Sequence, residues 1–174
     1  MVKASAPGKC ILFGEHAVVY GQPALACSIS QRMSIELEVE ETFDTWRLDG
    51  RTFNPKKHPH IDYLRKQLPP IEEQPIHIRI RGSIPKASGL GSSAALSVAL
   101  CGALQQLRGE DPSPMEASEL SHQAEANAQG GRASPMDTAT SSFGGFVVLS
   151  DTIEDDLEYL GVRTMDVEGT TLQW

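Results

Sequence analysis

Two glycines and two serines between a strand and a helix are the residues of this chain best suited to chemistry. The segment 76–80 alternates isoleucine with polar residues, which indicates a half-exposed strand, and 94–107 is almost wholly apolar, which indicates a buried helix. Gly89 and Gly91 lack Cβ atoms and let a ligand approach the backbone. A helix N-terminus offers free N–H groups and partial positive charge, which favour a phosphate. We therefore predict a nucleotide-binding segment, called the phosphate loop below, made of Pro85, Lys86, Ala87, Ser88, Gly89, Leu90, Gly91, Ser92, Ser93, Ala94 and Ala95.

Other interpretations of the phosphate loop exist. Residues 89–94 also fit the dinucleotide pattern G-x-G-x-x-A, with Glu110 and Asp111 about 20 residues further on. However, the strand before the loop alternates, whereas the first strand of a Rossmann fold is apolar throughout. No Gly-Lys-Ser/Thr closes the segment, so it is not a Walker loop. The plain structural alternative is a turn in which Ser92 or Ser93 caps a buried helix.

A second segment, 5–21, places Lys9, Glu15 and His16 among glycines and apolar residues. Charged groups in apolar surroundings are costly unless they are paired or used in function. The Glu-His pair directly after a glycine therefore indicates the edge of a site. The alternative is a strand and turn that carry one solvent-facing ion pair.

These segments together resemble the three leading motifs of the GHMP kinases, a superfamily that includes galactokinase, homoserine kinase, mevalonate kinase and phosphomevalonate kinase. The residues that carry the resemblance are Pro7-Gly8-Lys9 with Gly14-Glu15-His16, then 85–95, then Ala133 to Thr138 with Gly144-Gly145. Segment 6–21 is most similar to the mevalonate kinases, and 129–138 to those of archaeal type. The resemblance extends from about residue 3 to residue 149.

The order of predicted elements favours an α+β domain, with helices over one face of a largely antiparallel sheet. The resemblance implies the same fold, that of the GHMP-kinase N-terminal domain (ribosomal protein S5 domain 2-like). We predict strands near 2–6, 9–14, 24–29, 33–40, 75–82 and 146–149, a weaker strand near 45–49 facing 33–40, and helices near 60–68, 94–107, 114–128 and from Ser134 onward.

Length and charge divide the chain unevenly. Family members are roughly twice as long as these 174 residues and carry a late glycine-rich motif that is absent here. We therefore expect 1–150 to be an N-terminal ATP-binding and catalytic domain. We expect 151–174, with one Arg and seven acids, to be an acidic connection to a missing C-terminal domain. The rest of the chain is nearly neutral, which argues against the alternative of an RNA-binding module.

The resemblance implies ATP and Mg²⁺ as cofactors. Ser93 would coordinate Mg²⁺ together with Glu125, because hydroxyl and carboxylate oxygens suit this hard cation. By its sequence neighbours alone, Glu125 could equally be a surface carboxylate. Ser83 would lie near the nucleotide, while His122, one turn before Glu125, is interpreted as structural.

The resemblance also implies that Asp137 is the general base and that Lys9 lies beside it. A neighbouring lysine keeps a carboxylate ionised and can neutralise charge on a transferring phosphoryl group. The alternative for Asp137 is an ordinary acid in the first turn of a helix. Glu15 and His16 would bind the substrate, and Arg132 is a further candidate for a carboxylate contact.

The implied reaction is ATP-dependent phosphorylation of the 5-hydroxyl of mevalonate, an early step of isoprenoid synthesis. Another small-molecule GHMP kinase, acting on phosphomevalonate, homoserine or a sugar, and an inactive truncated fragment stay open as alternatives. The expected partner is the small-molecule substrate, with neither nucleic acid nor membrane, and a homodimer stays open.

Three cysteines, Cys10, Cys27 and Cys101, each lie in apolar sequence. An odd number without metal-ligand spacing indicates buried free thiols in a reducing compartment. The first residues lack the apolar stretch of a signal peptide, and the longest apolar run is far shorter than a membrane span. We therefore expect a cytoplasmic protein.

Overall fold

The computed structural model describes residues 1–16, 20, 22–70, 74–85, 87–131, 133–150 and 162–165. In chain order, these residues form β1 (Val2–Phe13), β2 (Ala24–Val39), β3 (Arg47–Leu48), β4 (Arg51–Thr52), α1 (Pro59–Gln67), β5 (Ile76–Gly82), α2 (Ser92–Leu107), α3 (Pro114–Ala128), α4 (Pro135–Phe143), β6 (Phe146–Leu149) and β7 (Val162–Met165). The mixed α+β class is confirmed, and each predicted helix lies within two residues of its predicted position.

The long strand β2 organises the sheet. One edge of β2 pairs with β1, while the other edge pairs with β6 along residues 24–27 and with β5 along residues 33–39. All pairs of neighbouring strands in the described sheet are antiparallel except β3 and β5. The order β4-β3-β5-β2-β6-β7, with β1 on β2, confirms the largely antiparallel sheet.

Helix α2 is the centre of the core, as its apolar sequence predicts. It packs on β1 and β2 and contacts the three other helices. Leu100 and Leu104 are fully buried against Ile35, Leu37 and Ile78 from the facing strands. Buried residues of α1 and α3 belong to the same cluster, so these helices cover the same face of the sheet as α2.

The strands differ from the prediction in two ways. Segments 2–6 and 9–14 form one strand, β1, with a register shift between Pro7 and Lys9, because β2 continues along both segments as their common partner. The predicted strand near 45–49 does not face 33–40; its residues 47–48 form β3, which runs parallel to β5. Since β5 occupies the edge of β2 along residues 33–39, that edge is not available to β3.

The register shift changes which residues of β1 point toward the helices. Before it, Ala4 and Ala6 belong to the core that α2 covers. After it, Ile11 packs on the small cluster formed around Met136 of α4, and the buried Lys9 also faces α4. The inward positions therefore change from even to odd numbers within one strand.

The thiols agree with the expectations in most respects, and the last described residues join the sheet. All three cysteines are free; Cys27 and Cys101 are buried as expected, whereas Cys10 is partly exposed. Burial raises the pKa of Cys101 to about 12, with the charge of Glu116 adding to the rise. Residues 162–165 of the predicted acidic connection pair with β6. Among the described helices, none has the length and apolar character that crossing a membrane requires.

Candidate active site

The phosphate loop leads into α2 through a left-handed glycine. Gly91 is the N-cap of α2 with φ of 71°, and α2 begins at Ser92. The alternative in which Ser92 or Ser93 is the N-cap is therefore wrong; both serines lie inside the first turn. A glycine cap has no side chain to accept hydrogen bonds from the first N–H groups of the helix, so no cap side chain competes with a ligand for them. Pro85 and residues 87–89 are exposed, so the loop is open to a ligand, while Lys86 lies outside the described residues.

Two glycines allow β1 and the phosphate loop to lie in close contact. The backbone N–H of Lys9 donates to the carbonyl oxygen of Leu90 at 3.0 Å. A Cβ atom at Gly8 would lie 2.7 Å from the same oxygen, and a Cβ atom at Gly91 would lie 2.8 Å from Cγ of Lys9. A side chain at Gly8 would therefore collide with the backbone of the loop, and one at Gly91 would displace the side chain of Lys9. The consequence is that Lys9 extends directly beneath the loop.

Lys9 and Asp137, separated by most of the chain, form an ion pair. Nζ of Lys9 lies 3.2 Å from Oδ1 of Asp137, and the two side chains are 8% and 36% exposed. Asp137 stands in the first turn of α4, whose N-cap is Ser134. Burial raises the pKa of Asp137 above its ordinary value and outweighs Lys9, which lowers it; the charges of Glu125 and Glu15 add to the rise. A carboxylate with a raised pKa is a stronger base than an ordinary aspartate.

Ser93 and Glu125 also meet, although they lie on different helices. The hydroxyl of Ser93 donates to Oε1 of Glu125 at 2.7 Å, and that of Ser97 donates to the same oxygen at 3.2 Å. Gln129 donates to Oε2 at 3.0 Å. Glu125 is buried with 6% exposure, so it is not the surface carboxylate of the alternative interpretation.

The carboxylate of Glu125 stays ionised despite its burial. Burial alone would raise the pKa of Glu125, but hydrogen bonds from His60 and Ser93, with smaller contributions beside them, lower it below its ordinary value. The serine hydroxyl and this ionised carboxylate form a hard oxygen donor set at the start of α2. Such a donor set fits Mg²⁺, and the uncapped helix N-terminus beside it fits the phosphates that Mg²⁺ accompanies.

His60 is a member of this group that the sequence analysis missed. Its Nε2 lies 3.3 Å from Oε1 of Glu125 and 3.3 Å from Oγ of Ser93. His60 is located in the first turn of α1, 33 residues before Ser93. No sequence pattern connects a histidine in this short helix to the phosphate loop, because only the packing of α1 on α3 brings it there.

The remaining predicted site residues follow the ends of strands β1 and β5. Glu15 and His16 are exposed in the turn after β1, and the charge of Glu15 acts on Asp137. Gly14 precedes them with φ of 86°, a conformation that favours glycine. Ser83 continues the ladder between β5 and β2, where its Oγ accepts the N–H of Arg32 at 3.0 Å.

Nε2 of His122 lies 3.1 Å from the carbonyl oxygen of Ala133, just before α4, which agrees with a structural role. Arg132 lies outside the described residues.

The sequence profile of the GHMP kinases N terminal domain matches residues 57–145. The chain therefore belongs to the GHMP kinase family. Among curated relatives, it is 41% identical to the mevalonate kinase of Methanothermobacter thermautotrophicus, over 97% of this chain and 58% of that protein. It is 34% identical to the mevalonate kinase of Thermococcus sibiricus, over 84% of this chain and 50% of that protein.

Solved structures agree with the fold. The structure of the Methanococcus jannaschii mevalonate kinase superposes with a TM-score of 0.78 at 24% identity, covering 95% of this chain and 56% of that one. The chain thus spans about half the length of the relatives that it matches.

Proposed function

We propose that this chain is the nucleotide-binding and catalytic half of a mevalonate kinase, which transfers the γ-phosphoryl group of ATP to the 5-hydroxyl of mevalonate. The observation that carries the proposal is the Lys9–Asp137 ion pair, located beside the uncapped start of α2. Phosphoryl transfer needs a phosphate-binding segment with a metal, a group that orients or deprotonates the acceptor, and nearby positive charge. The described residues supply one candidate for each requirement.

In this proposal, the phosphate loop and the first turn of α2 bind the ATP phosphates through backbone N–H groups. Ser93 and Glu125 hold Mg²⁺, which when bound neutralises charge on the phosphate oxygens. The open space around Gly89, where a Cβ atom would have no neighbour within 4 Å, leaves room for the nucleotide above the loop.

The acceptor alcohol would lie against Asp137. An aliphatic hydroxyl is a weak acid, so a carboxylate that orients it or takes its proton assists the transfer. Lys9 would hold Asp137 in place and offset the negative charge that develops on the transferring group. The raised pKa of Asp137 makes the carboxylate a better proton acceptor, and its partial exposure leaves it accessible to a substrate.

The choice of mevalonate as acceptor depends on the relatives and on the turn after β1. The curated relatives described above are named mevalonate kinases. Glu15 and His16 are exposed beside the site and can hydrogen-bond the polar groups of a small hydroxy acid. Since the relatives are about twice as long, we propose that the second half of such a protein completes the site and that these 174 residues alone have little or no turnover.

The test is an ADP-release assay on a longer protein that contains this chain, with mevalonate, phosphomevalonate, homoserine and galactose as acceptors. We expect strong preference for mevalonate. Preference for another acceptor would reject the substrate but retain the kinase. In parallel, calorimetry on the 174-residue chain with Mg²⁺ and a non-hydrolysable ATP analogue should detect binding. No binding by either protein would reject the kinase proposal, whereas full activity of the 174-residue chain would reject the need for a second half.

A further inference from the structure

We propose that His60 is a third protein ligand of the divalent cation at Ser93 and Glu125, and that it makes this site favour Mn²⁺ relative to a site built from oxygen ligands alone. The inference rests on the proposed function, because it assumes that Ser93 and Glu125 hold the cation that accompanies the nucleotide.

The three candidate ligand atoms form a compact triangle. Oγ of Ser93 and Oε1 of Glu125 are 2.7 Å apart, and Nε2 of His60 lies 3.3 Å from each of them. In an octahedral complex with metal–ligand distances of about 2.1 Å, neighbouring ligands are about 3.0 Å apart. The observed triangle therefore matches one face of an octahedron to within a few tenths of an ångström. The opposite face stays available for phosphate oxygens and water.

The helices that carry these atoms are fixed to one another. Ile61 and Leu64, next to His60 on α1, are buried in the main core. The hydroxyl of Tyr63 on α1 donates to Oε1 of Gln123 on α3 at 2.8 Å, two residues before Glu125. His60 and Glu125 are thus held at a set separation. The His60 side chain is 24% exposed, so its ring borders both the buried carboxylate and solvent, where a cation would enter.

The chemistry of the imidazole gives the metal preference. Mg²⁺ prefers oxygen ligands and gains little from a nitrogen donor. Mn²⁺ also prefers oxygen and binds most weakly in the first-row series, but as a transition metal it gains more from an imidazole nitrogen than Mg²⁺ does. When the metal binds, Nε2 of the neutral imidazole would give up its hydrogen bond to Glu125 and coordinate through its lone pair, while Nδ1 carries the ring proton. Loss of His60 should therefore weaken Mn²⁺ binding much more than Mg²⁺ binding.

The experiment measures Mn²⁺ bound to the protein with a non-hydrolysable ATP analogue, by electron paramagnetic resonance. In the wild type, pulsed spectra should show coupling between the Mn²⁺ electron spin and a histidine nitrogen. Labelling the protein with ¹⁵N-histidine should replace the ¹⁴N coupling with a ¹⁵N coupling. His60→Gln should abolish this coupling and weaken Mn²⁺ binding about tenfold or more, the scale of ligand-sphere changes in metal sites. Competition titrations should show less than about threefold change in Mg²⁺ affinity.

His58→Gln is the matched control, since His58 lies one residue before α1, stacks on Phe53, and makes no side-chain cap bond. This variant should keep the coupling and both metal affinities. Absence of nitrogen coupling in wild-type protein whose Mn²⁺ binding depends on Glu125 would overturn the ligand role of His60 and leave the proposed function standing. If Mn²⁺ and the nucleotide do not bind, or bind equally well in Glu125→Gln, both proposals fail. The wild-type spectra decide the matter even if His60→Gln does not fold.

Discussion

Replacement of Gly91 by alanine should separate the folding role of the phosphate loop from its role in positioning Lys9. Gly91 has φ of 71°, so any other residue there adopts the left-handed conformation, at a cost of about 1–2 kcal/mol. The new Cβ atom would also lie 2.8 Å from Cγ of Lys9, where ordinary contacts begin at 3.4 Å. Cγ of Lys9 must therefore move away by about 0.6 Å, and the resulting displacement of Nζ is of the order of 1 Å.

Such a displacement changes the 3.2 Å contact between Lys9 and Asp137. A misplacement of about 1 Å in a reacting group can lower a rate by about 100-fold. In a longer protein with mevalonate kinase activity, we therefore expect Gly91→Ala to reduce kcat about 100-fold. Chemical denaturation should show a loss of only about 1–2 kcal/mol in the free energy of unfolding.

Gly89→Ala is the matched comparison within the same loop. Gly89 has nearly the same φ, 73°, but a Cβ atom there would meet nothing within 4 Å. The two variants should lose similar stability. In the kinetics, Gly89→Ala should change only the KM for ATP and leave kcat unchanged. Equal losses of kcat in both variants would show that Lys9 is not displaced, or that its position does not limit the rate, and would refute the reasoning.

Three further predictions concern the base, the buried acid and the core. Asp137→Asn should abolish turnover and leave nucleotide affinity nearly unchanged by calorimetry; a mild loss of rate would remove Asp137 as the base. The pKa of Glu125 is lowered in the folded protein, so its ionised form stabilises the fold when the pH is above 4.5, the ordinary pKa of a glutamate. This contribution disappears as the pH falls through the lowered pKa. Urea unfolding should therefore show a larger deficit for Glu125→Gln at pH 7 than at pH 3, and a deficit that does not depend on pH would contradict the assignment. Leu104→Ala, at a fully buried position, should cost about 2–5 kcal/mol; a cost below about 1 kcal/mol would mean that α2 is not central to the core.

Local patterns in the sequence were enough to predict most elements of the fold. The apolar run of α2, the Pro-containing starts of α3 and α4, and the alternation of β5 each depend on neighbours within a few residues. Strand pairing was less predictable, because it depends on distant partners. No pattern in residues 45–49 indicates whether they pair with β2 or with β5. The pairing depends on which strand edge is already occupied.

The candidate site shows the same division. Lys9 and Asp137 were placed side by side through resemblance to a family, and Ser93 and Glu125 likewise, whereas composition and spacing alone left plainer alternatives open for each acid. His60 had no such support. Its position depends on how Ile61 and Leu64 seat α1 in the core and on the bond between α1 and α3, which are properties of the packed structure.

Because the inward-facing positions of β1 change from even to odd numbers, the direction of the Lys9 side chain depends on the number of residues in the strand. The residues before Pro7 contribute methyl groups to the interior, and Lys9, after Gly8, places its ammonium group beside Asp137. Removing one residue at the joint would restore simple alternation and turn the lysine toward the opposite side of the sheet. A protein altered in this way would keep Ala4 and Ala6 in the main core, whereas Ile11 would leave the cluster around Met136 and Asp137 would lose its ion-pair partner.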